Sequence, residues 1–416
     1  MRNQETALVL GRGITALGVI RSLGRLGITA HLVGSDDGFV CHSRFHRGLS
    51  MEGAPAPTET TLTSFLRSLP RATLVLIPCS DEWAAAVRSL EPDLAERFPS
   101  SLAPESALQV FIDKGRFARV LEALAVPHPK TVPTVSESDL GAQPVEFFES
   151  AFLKPRQSQA FARRFGVKAF RFRDRDQALA AWRTAHEAGF EMILQEYIPG
   201  PPTAHYFIDG FVDRTGAIRA RLARRRLRMD PPDFGNSTSM FSVPLQEVAG
   251  AVASLDRLLN EVGYRGIFSA EFKHDARDGQ FKILEVNTRA WWYVEFATDC
   301  GVNICGMAYR DARGLPVDSV TRYRTGLRCV YPYYDWGARK HLPRTARPSI
   351  WAILGFWIGA RQPIFRWDDP IPALMSAWHY LRGVLRRRRM KQAPALLAAE
   401  GDRGASSSRT THDREA

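Results

Sequence analysis

Two stretches of the chain place acids inside otherwise apolar, strand-prone sequence: Ser269–Asp275 (SAEFKHD) and Lys282–Trp292 (KILEVNTRAWW). Ile267-Phe268 precedes the first acid, and Phe281-Ile283-Leu284 precedes the second. Arg277-Asp278-Gly279-Gln280 between them has the chemistry of a turn. The pattern predicts a hairpin that sets Glu271 beside Glu285 and Asn287. The last two are two residues apart and share a face. Two carboxylates and an amide oxygen are a hard-oxygen set suited to Mg²⁺, which bridges substrate phosphates. Arg289 continues that face and suits a phosphate or an anionic intermediate. Unpaired acids in apolar strands are costly, which favours a functional site over a merely polar face.

Three further segments carry matching chemistry. Ile112-Asp113-Lys114 opens a helical pattern with Phe117, Val120, Leu121 and Leu124 on one side, ended by Pro127 and Pro129. Phe152-Leu153-Lys154-Pro155 puts a lysine at the end of a short strand, where it can neutralise phosphate charge. Lys168 offers a second cation. In Leu194-Gln195-Glu196-Tyr197-Ile198-Pro199-Gly200, Gln195 or Glu196 can accept from an adenine amino group. Backbone groups around Tyr197 and Ile198 suit the ring edge.

In this order the segments resemble the ATP-grasp superfamily of ATP-dependent ligases, over roughly residues 1 to 310. The acidic strand and the Glu-x-Asn strand of that family match Glu271 and Glu285-Val286-Asn287. The resemblance implies ATP and Mg²⁺ (or Mn²⁺), with Glu271, Glu285 and Asn287 as metal ligands. It places Lys114, Lys154, Lys168, Gln195, Glu196, Tyr197 and Ile198 on the nucleotide. It also implies an ADP-forming carboxylate–amine ligase working through an acyl phosphate on a small acid and an amine. The enzyme alternative is a carboxylase or carbamoyl-phosphate-type activity. The non-enzyme alternative is an ATP-binding regulatory or membrane-associated assembly protein.

Two departures stand out. Residues 156–166 hold three arginines and one glycine where relatives carry a glycine-rich phosphate loop. Gly200-Pro201-Pro202-Thr203 lacks the acid that often holds the ribose, leaving Asp209 as a substitute.

The elements that must position these residues read as α/β with α+β lobes. Residues 1–110 begin with an apolar strand, the turn Gly11-Arg12-Gly13 and a helix to about Leu26, then a strand at Ile28–Val33. This is a Rossmann-like start. Asp36 and Asp37 mimic the ribose acid of a nicotinamide site, but the glycine spacing does not fit that fingerprint. Leu74–Pro78 reads as another strand, with Ser80-Asp81-Glu82 capping the next helix. Residues 111–310 would form two lobes, about 111–200 and 201–310. Residues 311–395 form an extension, and 396–416 a disordered tail.

The net charge of +12 comes largely from arginine clusters at Arg219–Arg228, Arg382 and Arg386–Arg389. Ile218–Leu222 reads as a half-buried strand, with Arg224–Arg226 and Arg228 leading into a loop. Most of these arginines read as a solvated basic face, and Arg226 and Arg228 as candidates for a substrate carboxylate or phosphoryl group. No nucleic-acid fold signature is visible, so nucleic acid is not an expected partner. Leu374, Trp378, Leu381 and Leu385 share a helix face with arginines behind it. That face would pack on the core or offer a peripheral contact with an anionic membrane. Ile350–Ala360 is too short to span a bilayer and reads as buried or interfacial. Five scattered cysteines and no secretion signal point to reduced thiols and the cytoplasm. Cys41, His42 and His46 are too few for a metal site. The oligomeric state and the identities of acid and amine are not legible.

Overall fold

Three β-sheets organise the chain. The computed structural model describes residues 6–34, 38–48, 58–69, 73–134, 136–156, 158–232, 234–342 and 344–382. Asp36, Asp37, Arg386–Arg389 and the tail from residue 396 lie outside the described residues.

The first sheet is parallel, with β1 (Thr6–Leu10) between β2 (Thr29–Val33) and β3 (Val75–Pro78). Every residue of β1 is buried, as a central parallel strand requires. The helix Gly13–Gly24 crosses over from β1 to β2. Gly11 is needed at the end of β1 because a Cβ there would lie 2.6 Å from the Cys79 Cβ. Ser80 caps the helix Asp81–Arg88, its Oγ accepting from the Trp83 N–H at 3.3 Å.

The second sheet is antiparallel, with β6 (Met192–Glu196) between β4 (Thr131–Thr134) and β5 (Ala151–Pro155). Residues 158–165, expected as part of a phosphate loop, form a helix instead. Phe161 anchors it, fully buried beside Leu153, Trp182 and Leu194.

The third sheet has six antiparallel strands: β7 (His205–Val212), β8 (Ile218–Asp230), β9 (Asn236–Val243), β10 (Gly266–Asp275), β11 (Gln280–Asn287) and β12 (Arg328–Val330). Their spatial order is β11-β10-β7-β8-β9-β12. The helix Ala249–Glu261 covers it, with Leu255 and Leu258 against Ile208 and Phe268. The hairpin of β10 and β11 turns at residues 276–279, where Gly279 takes φ +71°.

Two boundaries differ from the sequence reading. The helix Glu105–Ile112 runs through the division expected at residue 110. The extension supplies β12 to the third sheet through pairing with β9, so it is woven into the second lobe.

The arginine run also differs. β8 continues through Arg224–Arg228 to Asp230, and only a short turn precedes β9. Arg219 pairs with Asp213, Arg221 with Asp256, Arg224 with Asp209, Arg225 with Glu247, Arg226 with Glu271 and Arg228 with Asp335. Arg224, Arg226 and Arg228 are buried. The expected solvated basic face is therefore split: Arg224, Arg226 and Arg228 form internal ion pairs, as burial of guanidinium groups demands, and Arg219, Arg221 and Arg225 form half-buried ones.

Candidate active site

Register sets the centre of the site. Glu271 on β10 stands directly opposite Glu285 on β11, and Ser269 opposite Asn287. Facing carboxylates repel each other on a sheet, so the pair is held for a purpose other than strand stability. Glu285 is exposed, and Asn287 Nδ2 donates to its Oε1 at 3.4 Å. Glu271 is sunk behind it. Its Oε1 meets Arg226 Nη2 at 3.0 Å and His205 Nδ1 at 2.8 Å. Burial alone would raise the Glu271 carboxyl, but the Arg226 guanidinium and the His205 hydrogen bond reverse this and hold it well below the usual range. Burial and Arg226 push His205 down to about 4, so its ring is neutral at pH 7. An ionised carboxylate only accepts, so the His205 proton sits on Nδ1. The outcome is a permanently ionised Glu271 facing an exposed Glu285. With the Asn287 amide oxygen, this donor set fits Mg²⁺. Among the described residues no group of three His, Cys, Asp or Glu side chains forms another candidate metal site.

Two lysines stand near these acids, one on the three-stranded sheet and one at the start of a helix. Burial lowers Lys154 on β5, and the charges of Glu285 and Glu271 partly restore it. Lys114 begins the helix Lys114–Ala123, capped by Asp113, whose Oδ1 accepts from Gly115 N at 2.8 Å and Arg116 N at 3.0 Å. Arg156 grips the same Asp113 carboxylate. Lys114 is pushed down to about 8 by burial and by Lys154, against the pull of Glu285, Asp81 and Asp113. Its proton is thus present at pH 7 and lost as pH rises through 8. We expect ATP affinity to fall between pH 7 and pH 9, and calorimetry across that range checks it. A Lys114→Met variant should flatten the profile, whereas an unchanged slope in that variant would remove Lys114 from the phosphate.

Between the lysines runs a narrow slot lined by Phe117, Leu121, Thr131 and Ile283, with Lys114, Lys154 and Gln195 at its polar side. Its walls are apolar with a few polar groups, but its free volume is only about 10 Å³, room for one water, so a flat ring enters only once the two lobes part.

Of the expected hinge residues, Gln195 alone lines this slot. Its Oε1 accepts from Lys154 Nζ at 3.4 Å, and its Nε2 donates to Thr131 at 2.9 Å. The Glu196 carboxylate is committed to the Lys130 N–H at 3.0 Å and to Arg277 at 2.5 Å, which takes it from the adenine role. The Tyr197 N–H donates to the Ser150 carbonyl at 2.6 Å, so a ring edge cannot use it. The Tyr197 ring carries Arg171 at 4.7 Å and Lys273 at 4.8 Å, and Ile198 is buried. Lys168 is exposed and donates to Asn236 Oδ1 at 3.0 Å, bridging the two lobes rather than joining the lysine pair.

Three substrate-side expectations change. Arg226 is buried behind Glu271, so it positions that carboxylate and leaves no face for a substrate acid. Arg228 makes a two-point contact with Asp335 at 2.6 and 2.8 Å, which commits one edge of its buried guanidinium. Asp209 is buried against Arg224 and Ser269 at 2.7 and 2.6 Å and is withdrawn from any ribose. Arg289 keeps some exposure, but its Nε and Nη2 donate to Asp81 at 3.1 and 3.5 Å and its Nη1 to the Ala290 carbonyl at 3.1 Å, tying the chain just after β11 to the helix Asp81–Arg88.

His205, Asp81 and Phe234 went unmarked in the sequence. Phe234, from the turn between β8 and β9, packs on Phe152 at 4.8 Å. His205 directly follows the hinge, but only the pairing of β7 with β10 brings it to Glu271.

The fold recurs in solved structures. Biotin carboxylase from Campylobacter jejuni superposes with a TM-score of 0.62 at 16% identity, over 78% of this chain and 74% of that one. The L-amino acid ligase from Bacillus licheniformis superposes with a TM-score of 0.55 at 13% identity, over 75% of each chain. The chain has the ATP-grasp fold. No family model matches it. Among curated proteins, D-aspartate ligase of Enterococcus faecium (strain Aus0004) is 26% identical over 247 residues. That stretch takes in 57% of this chain and 58% of the relative, so a large part of the relative's length has no counterpart in the match. Within the ATP-grasp frame, the acids lie on the larger lobe and the lysines on the smaller one.

Proposed function

We propose that this protein is an ATP- and Mg²⁺-dependent carboxylate–amine ligase that works through an acyl phosphate. The observation that carries the reading is that Lys114 and Lys154, which line one narrow slot, stand within electrostatic reach of the facing pair Glu271 and Glu285. Buried cations beside ionised acids are the arrangement that a triphosphate with its divalent ion requires.

The adenine lies in the slot, against Phe117, Leu121 and Ile283. Lys114 and Lys154 neutralise phosphate charge. Glu271, Glu285 and Asn287 would hold Mg²⁺, which would supply charge neutralisation to the triphosphate. Arg226 and His205 keep Glu271 ionised and aimed. Arg289, steadied by Asp81, meets the transferred phosphoryl group. A carboxylate oxygen of the acid attacks the γ-phosphorus, and ADP leaves. The amine then adds to the acyl carbon, phosphate departs, and the nitrogen gives up its proton. The D-aspartate ligase resemblance puts amino acids first among the candidate acids.

Purified protein with ATP, Mg²⁺ and pooled amino acids and small carboxylates should form ADP and phosphate only when a competent acid is present. Hydroxylamine in place of the amine should give the hydroxamate of that acid. AMP as the main nucleotide product would overturn the phosphoryl mechanism. ADP formed with bicarbonate alone would favour a carboxylase.

A further inference from the structure

The apolar residues of the extension face outward. On the helix Ile350–Trp357 the exposed residues Ile350, Trp351 and Leu354, continued by Ile358, fall within an arc of about 100° at 3.6 residues per turn. Trp351 is 82% exposed and Ile358 74%. The helical residues 371–382 present a second such stripe, Ile371, Leu374, Trp378 and Leu381, all more than half exposed. The sequence pattern allowed this stripe to pack on the core, and it does not. Trp367, on the segment between the two helices, is 91% exposed. Both helices join a third, Pro332–His341. Trp357 Nε1 donates to Asp335 at 2.8 Å, and Tyr380 packs on Tyr333 at 5.2 Å. That third helix adds the exposed rings of Tyr333, Tyr334 and Trp336.

Apolar exposure on this scale marks an interaction surface. Its chemistry selects the partner. Tryptophan and tyrosine are the residues of the membrane–water boundary, and each stripe is a helix face of the kind that lies in that boundary. The rim is cationic: from Ala338 to Arg382 there are seven arginines and lysines, of which Arg366 is buried on Asp299 and Glu295, against Asp368 and Asp369. Asp369 is buried on Arg21. The chain beyond Arg382 continues with Arg386–Arg389 and Lys391. A second copy would set this basic rim against itself, and the basic run that follows would do the same. An anionic bilayer supplies the opposite charge. Among the described residues no helix is long and apolar enough to cross a membrane, so contact is confined to one surface.

We infer that the face built from residues 350–358, Trp367 and residues 371–382 seats the protein on an anionic lipid surface, tryptophans in the headgroup layer. The inference is independent of the ligase reading, since none of these residues lines the nucleotide slot.

The test is sedimentation of the full-length protein with vesicles, with tryptophan fluorescence in parallel. Vesicles of phosphatidylglycerol mixed with phosphatidylcholine should bind it at least about tenfold more tightly than phosphatidylcholine alone. The emission should shift to the blue on binding. Trp351→Glu with Leu374→Glu should abolish binding while leaving the urea unfolding midpoint in place, and Trp367→Glu alone should weaken it. Lys340→Gln with Arg382→Gln should erase the preference for anionic lipid. Absence of binding to anionic vesicles overturns the inference. So does a wild-type dimer that the double glutamate variant dissolves, which would assign the face to a second copy.

Discussion

Replacing Glu285 by Gln together with Asn287 by Ala should reduce Mg²⁺-dependent ATP turnover by about a hundredfold or more, the scale of losing a group that offsets developing charge. The fold should survive. Glu285 is exposed, and among the described residues its carboxylate hydrogen-bonds Asn287 alone. Removing it also relieves the repulsion from Glu271 across the strand pair. The attraction of Glu285 to Lys114 and Lys154 is lost as well, so the melting temperature without metal should stay about level. The stabilisation that Mg²⁺ and ATP together give the wild type should disappear, because a ligand that binds only the folded state raises its stability by mass action. Thermal melts with and without Mg²⁺–ATP, beside a coupled ADP assay, read both effects. Full turnover in the double variant would place the metal elsewhere. A fall in the metal-free melting temperature would show that the two residues serve the strands instead.

The largest stability effect should come from Arg21→Met. Arg21 is fully buried on the helix Gly13–Gly24 and reaches across the chain to residues 363–369. Its Nε donates to Asp369 at 2.9 Å, and Nη1 to Glu295 at 3.3 Å and the Pro363 carbonyl at 3.2 Å. Nη2 donates to the carbonyls of Ile364 and Asp369 at 2.8 and 3.0 Å. Methionine would fill the space and leave two buried carboxylates short of a partner. The cost should be about 3–5 kcal/mol, the range for a buried pair broken on one side. Arg67→Ala is the control, since its pair with Glu91 is more than half exposed and should contribute less than about 1 kcal/mol. Urea midpoints of the two variants separate the cases. Near-equal midpoints would mean that the Arg21 cluster relaxes around the loss.

The hairpin that carries the acids was legible because its information is local. Turn residues, alternation and a two-residue spacing fix Glu285 and Asn287 on one face before any tertiary contact forms. The fate of the arginine run was not legible. Arg-Ala-Arg alternation reads equally as a solvated or a buried strand, and the deciding acids lie far off in sequence, Asp335 more than a hundred residues away. Residues 158–165 were misread for a related reason. Phe161 and Phe165 stand four apart, a helical spacing, but the expected phosphate loop outweighed it. Glu196 looked available as an acceptor because the Arg277 that occupies it belongs to a different sheet. The stripe on residues 371–382 shows the limit most plainly: its periodicity identifies an apolar side and says nothing about what that side meets.

The pairing of β9 with β12 has a bearing on how the protein must be made. β9 ends at Val243, and its partner does not begin until Arg328. Along a nascent chain, β7 to β11 can pair while one flank of β9 still presents unpaired backbone donors and acceptors. Such an open edge is a template for another chain. Contacts this distant in sequence also form late, after a long loop has closed. A fragment ending near residue 310 would keep every proposed nucleotide and metal residue and still leave that edge bare. Such a fragment should aggregate during expression where the longer chain does not.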